Sequence, residues 1–127
     1  PMTTWTSDEL NKIGKAEELE IASLRRDGTL RKSRTIWVVR VSDDLFVRSV
    51  NGRTSAWFRG VLTRHEGRIQ AGGVTKDAAF EEIIESPVHE QIDTAYRKKY
   101  SHYPKEYVDA CVTPKARAAT IRLAPRP

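Results

Sequence analysis

The 127-residue chain has one cysteine, Cys111. An internal disulfide is excluded, and so is a thiolate metal cage, which needs several cysteines. Cys111 is expected as a small buried residue beside Val108 and Val112. A lone cysteine also fits a cytoplasmic setting. The three histidines, His65, His89 and His102, are scattered with no metal-ligand spacing, so no metal site is expected. No apolar run approaches the ~18 residues of a membrane span. The seven glycines form no Walker or dinucleotide fingerprint, and there is no GxSxG elbow. The first residues are polar and acidic, without a secretory signal. Pro1 before Met2 reads as a tag remnant, with Met2 the native start. One domain is expected, covering residues 1–127.

Charge of one sign is not in large excess. The 22 basic residues face 17 acidic ones, for a net +5. Most cations alternate with acids, the pattern of a solvated surface. The clusters are Arg31-Lys32-Ser33-Arg34 and Arg97-Lys98-Lys99. This balance does not point to nucleic acid as a partner.

What is present is a β-rich middle. Thr6-Ser7-Asp8-Glu9 is a capping box that opens a helix with Leu10, Ile13 and Trp5 on its apolar side. Gly14 is expected to end it. Residues 18–25 alternate, placing Leu19, Ile21 and Ser23 on one face of a strand. Asp27-Gly28 is a turn. Residues 35–41 and 44–50 read as a hairpin joined by Ser42-Asp43. In its first strand Trp37, Val39 and Val41 are the expected core face, against Ile36, Val38 and Arg40. Asn51-Gly52-Arg53 then forms a loop before a short helix over 55–63. A second hairpin, 64–71 and 74–84, turns at Gly72-Gly73. Ser86-Pro87 starts a helix to about residue 101, with Ile92, Tyr96 and Tyr100 on one face. Pro104 breaks it. Thr113-Pro114 begins a helical turn, and 120–123 is a last strand. Clustered antiparallel strands with flanking helices predict a mainly β, α+β barrel-like fold of about six strands.

Two sets of residues can carry chemistry. The first is Arg31, Lys32, Ser33, Ser49, Asn51, Arg53 and Trp57, joined by Arg48 and Arg59 near the same turn. Cations neutralise phosphate, loop N–H groups and hydroxyls position it, and an indole covers a ring. The second is the tyrosine series Tyr96, Tyr100, Tyr103 and Tyr107. Its phenols either pack with a wet hydroxyl end or line a pocket as hydrogen-bond or proton donors.

Nearly the whole chain resembles the uncharacterised bacterial family DUF2255. The resemblance rests on WTSDELNKIGKAEELEIASLRRDGTL, TIWVVRV, DLFVRSVNGR, AWFRG, RHEGRIQAGG, IDTAYRKKY and VTPKARAATIRL. It implies a split β-barrel of the flavin-binding type. More distantly, the chain is similar to deazaflavin-dependent nitroreductases, which share that barrel. Arg31-Lys32-Ser33 matches part of their GRKSG loop, Ser49 a strand-end serine, Gly52 the loop after it, and Trp57 a helix-opening tryptophan. Leu30 and Arg34 stand where that loop has glycines, and Gly60 where those relatives usually carry asparagine.

The likeness implies a small oxidoreductase that uses FMN or a deazaflavin to reduce a small conjugated or carbonyl substrate. The implied cofactor residues are Arg31, Lys32, Ser33, Arg48, Ser49, Asn51, Arg53 and Trp57. Tyr96, Tyr100 and Ser49 are the implied catalytic residues. Tyr96, Tyr100, Tyr103 and Arg40 are the implied substrate contacts. A homodimer with its cleft between subunits is expected. The missing loop glycines leave equal room for no cofactor at all. The chain would then be a cofactor-free isomerase- or cyclase-type enzyme using Arg40, Arg48, Glu20, Tyr96 and Tyr100, or a non-catalytic module that binds a small molecule.

Overall fold

The structure, a computed structural model, describes residues 4–127. The reading of Pro1 and Met2 lies outside the described residues. The described residues build seven antiparallel strands in one sheet: β1 (Leu19–Ser23), β2 (Arg34–Ile36), β3 (Val39–Val41), β4 (Asp44–Arg48), β5 (Glu66–Ala71), β6 (Val74–Glu82) and β7 (Thr120–Pro125). Their order is β2-β1-β5-β6-β7-β4-β3. The helices are α1 (Ser7–Lys15), α2 (Ala56–Arg64), α3 (Val88–Lys99), α4 (Lys105–Ala110) and α5 (Pro114–Arg117).

Helix α1 starts at the capping box as expected. Thr6 Oγ1 accepts the Glu9 N–H at 3.1 Å, and Glu9 Oε1 accepts the Thr6 N–H at 2.9 Å. Gly14 does not end the helix, which runs one residue further. Trp5 is buried, and its indole N–H donates to the Leu123 carbonyl at 2.9 Å, tying this end to β7. Helix α3 begins at Val88, so Pro87 takes the cap position; Ser86 Oγ still accepts the Val88 N–H at 3.3 Å. Past Pro104 the chain re-forms a helix, α4, which sequence analysis leaves as a break.

The largest departure is at residues 35–41. They are not one strand. β2 pairs with β1 at one edge of the sheet, and β3 pairs with β4 at the other. Two residues, Trp37 and Val38, carry the chain from edge to edge, so the sheet curls back on itself. Alternation fails there because the chain changes partners. Val38 and Val39 are both buried, yet they join different apolar clusters.

A crossing without ladder bonds leaves backbone groups to be satisfied some other way. Tyr100, fully buried at the end of α3, does this. Its Oη accepts the Val38 N–H at 3.1 Å and donates to the Glu17 carbonyl at 2.8 Å. Lys99 Nζ donates to the Val38 carbonyl at 2.7 Å and the Ala16 carbonyl at 2.6 Å. Trp37 stacks on the Tyr100 ring, with centroids 3.9 Å apart and planes within 4°. No helix among the described residues is long and apolar enough to cross a membrane.

Two outcomes are expected. Tyr100→Phe orphans the Val38 N–H and should cost about 1–3 kcal/mol in urea unfolding. Burial pulls Lys99 down from 10.5 to about 8. The unfolded lysine holds its proton more tightly, so stability should rise as pH climbs from about 8 to about 10.5. A neutral amine still donates to both carbonyls. Thermal melts of wild type against Lys99→Met across that range should show the rise only in wild type.

Candidate functional site

Two hollows flank the point where β2 leaves β1, and Trp57 lines both. The first is a basic cleft of about 200 Å³. Arg31 and Lys32 come to it from the loop before β2, Arg34 from the first position of β2, Arg25 from just past β1, and Ala56 from the start of α2. No carboxylate lines it among the described residues. Arg25 donates to Thr29 and to the Leu30 carbonyl. Among the described residues the side chains of Arg31, Lys32 and Arg34 have no ion pair, whereas Arg53, Arg64, Arg68, Arg97 and Arg122 each meet a carboxylate. Arg31 Nε is buried with no hydrogen-bond partner. A buried donor left unpaired costs about 1–3 kcal/mol, which an anion in the cleft would recover.

Two further features shape this cleft. The Ser55 hydroxyl, at the N-cap of α2, is 2.8 Å from Ser49 Oγ and caps nothing, so the first N–H groups of α2 receive no side-chain cap. They add partial positive charge. Gly60 lets Arg31 lie against the helix. A Cβ there would stand 2.7 Å from Ser23 Oγ, 3.0 Å from Arg31 Cδ and 3.1 Å from Arg31 Nε.

The second hollow, about 260 Å³, is apolar. Its walls include Trp37, Trp57, Tyr96, Tyr107, Val50 and Cys111. Each hollow is smaller than the ~300–1,000 Å³ of a usual ligand pocket, and Trp57 stands in the wall of both. Burial pushes the Tyr96 phenol well above its usual value and the Cys111 thiol up to about 11, so both stay protonated.

The structure separates the remaining expected site residues from these hollows or occupies them otherwise. Arg48 lines the apolar hollow, but all five of its N–H groups have protein acceptors. Nε donates to Thr120, NH1 to Asp93 and the Cys111 carbonyl, and NH2 to His89 Nδ1 and, at 3.4 Å, the His89 carbonyl. It cannot also hold a phosphate. His89 Nδ1 therefore accepts, and Nε2–H donates to the Ile84 carbonyl at 2.8 Å. Ser49 is buried and donates to the Gly52 carbonyl at 2.8 Å; it builds the loop and does not face a ligand. Gly52 sits at φ 84°, which that turn requires. Arg53 is spent on Glu82 and the Ala118 carbonyl. Ser33 turns to Glu20, outside the basic cleft. Asn51 is exposed and lines neither hollow.

Tyr100 holds the strand crossing and has no hydroxyl free for catalysis. Tyr103 donates to Glu17 Oε2 at 2.8 Å, behind Trp37. Arg40 donates to the Ser42 carbonyl and to Asn11, remote from both hollows. The cofactor-free acid–base set of Arg40, Arg48, Glu20, Tyr96 and Tyr100 is not brought together. Arg31, Lys32, Trp57 and Tyr96 do line the hollows. Tyr107, the last of the expected tyrosine series, lines the apolar hollow as well, whereas Arg25, Arg34 and Cys111 were not among the expected site residues. Only the cationic run at 31–34 signalled one of them, Arg34.

A family of uncharacterised proteins conserved in bacteria, DUF2255, matches residues 9–123. The chain belongs to that family. No curated protein matches the chain. Solved structures do. An F420 reductase superposes with TM-score 0.59 at 12% identity, over 93% of this chain and 91% of that one. An FAD-binding protein from Mesorhizobium loti gives 0.57 at 18%, over 98% and 92%. An FAD and heme binding protein from Mycobacterium smegmatis gives 0.52 at 18%, over 94% and 65%. At these identities the likeness is one of fold: this DUF2255 chain has the split barrel of flavin-binding proteins, a largely antiparallel sheet curled into a half-barrel with flanking helices.

Gly60→Ala tests the cleft directly. The new methyl should displace Arg31 and lower the affinity for pyrophosphate several-fold in calorimetry, with about 1–3 kcal/mol lost in stability from overpacking.

Proposed function

We propose that this DUF2255 protein is a small oxidoreductase that binds a flavin or deazaflavin and reduces a small conjugated or carbonyl compound. The observation that carries the reading is the basic cleft, which among the described residues has three cations lacking ion-pair partners, a buried Arg31 Nε with no acceptor, and no carboxylate on its walls. The donor set fits the anionic arm of such a cofactor. Arg31, Lys32 and Arg34 would hold that arm, helped by the start of α2. Trp57, between cleft and hollow, would lie against the ring system. When bound, the cofactor would supply hydride transfer. The chain's own part is to orient it and to exclude water with the aromatic walls. The apolar hollow on the far side of Trp57, walled by Tyr96 and Cys111 that burial holds protonated, would be left free beside it.

The fold shared with an F420 reductase and an FAD-binding protein supports the reading. A homodimer forms part of it.

Titration with FMN, FAD and a deazaflavin, followed by flavin and tryptophan fluorescence, should show saturable binding of at least one. Arg31→Ala and Lys32→Ala should each weaken it by about tenfold, a loss that added salt diminishes. Absence of binding by all three at near-millimolar concentration would remove the oxidoreductase reading. Binding without turnover of any carbonyl or conjugated acceptor would leave a non-catalytic module.

A further inference from the structure

The Arg48 cluster has a charge that the cofactor reading does not use. Arg48 NH1 meets Asp93 Oδ1 at 2.5 Å. The other oxygen of the same carboxylate, Oδ2, takes Arg117 Nε at 3.0 Å and also pairs with Arg117 NH2. Two guanidiniums thus share one carboxylate, and one positive charge is left over. The other groups on Arg48 from α3 are His89, bonded through its lone-pair nitrogen, and Tyr96, whose ring centroid lies 5.7 Å from the guanidinium carbon. Glu90, near Arg117, is exposed and screened by solvent. The Arg48 side chain is fully buried and forms part of the apolar hollow. The hollow therefore feels a positive charge but is offered no free Arg48 N–H. An occupant gains from that charge without a directed hydrogen bond to it, which suits negative charge spread over a flat ring. Aromatic walls supply stacking for such a ring.

We infer that the apolar hollow is a second binding site, for a planar aromatic weak acid of the phenol or enol class taken up as its anion, and that Arg117 supplies the uncompensated charge from outside. This goes beyond the cofactor reading and requires no flavin. Two effects compete. Burial resists ionisation, and in Tyr96, sealed in the wall, it outweighs Arg48. A ligand at the mouth keeps solvent on its outer side, where Val50 and Tyr107 are exposed, so there the charge wins.

The test uses 4-nitrophenol, whose ionised form is read by visible absorbance, with nitrobenzene as the probe that cannot ionise. Arg117 is partly exposed, at 43% of its side chain, so Arg117→Gln should fold. Wild type should bind 4-nitrophenol saturably and lower its pKa. Arg117→Gln should raise the pKa of the bound probe by about one unit while nitrobenzene affinity stays within about twofold. Arg117→Lys should restore most of the lowering. The inference is overturned if neither probe saturates, if the bound pKa is the same in wild type and Arg117→Gln, or if nitrobenzene affinity falls in step with nitrophenol affinity. Flavin titration of Arg117→Gln should match wild type, so failure here is distinguishable from failure of the cofactor reading.

Discussion

The fold depends on two residues that belong to no strand. Trp37 and Val38 span the gap between the two edges of one sheet, and a closed curl exists only if their backbone groups are satisfied there. Tyr100 and Lys99 do this from the C-terminal end of α3, and Trp37 stacks on the Tyr100 ring. The energetic logic is that of any buried peptide group: unpaired, it costs more than a made bond returns. One phenol and one ammonium convert a break in the ladder into a fixed seam.

Closure also places the two hollows. The loop that brings Arg31 and Lys32 leads directly into β2, whose first residue is Arg34, so the cations arrive at the seam's near side. Thr35, Ile36 and Trp37 continue onto the wall of the apolar hollow. Trp57, on the first turn of α2, is held between them because Ser49 and Ser55 lock the preceding loop. The electrostatics divide accordingly. In the cleft, charge stands exposed and unpaired, ready for a directed contact with an anion. Beneath the hollow, charge is fully hydrogen-bonded and acts only through its field.

Much of this was legible in the sequence. The capping box at Thr6, the Ser42-Asp43 and Gly72-Gly73 turns, and the Thr113-Pro114 helix start all depend on neighbours in the chain, so local chemistry reveals them. The split of 35–41 was not legible. A run of β-branched and aromatic residues looks the same whether it pairs on one side or switches partners midway. Arg48 illustrates the harder problem. An arginine beside a loop reads as a phosphate ligand, and nothing within several residues shows that Asp93, His89, Thr120 and the Cys111 carbonyl converge on it from distant positions. Tyr100 is similar: a phenol on a helix face carries no sign that its hydroxyl is consumed by the backbone of Val38. Arg31 and Lys32 were legible because exposed loop cations near a glycine-containing turn remain available unless something pairs them, and here nothing does among the described residues.

The central claim is that seam closure sets an unpaired cationic arm beside an aromatic hollow, with Trp57 shared by both. A crystal structure of the protein grown with its tightest-binding flavin or deazaflavin tests it most directly. The account predicts the anionic arm on Arg31, Lys32 and Arg34, with the ring against Trp57. A cofactor bound elsewhere, with Arg31 Nε still lacking an acceptor, would contradict it.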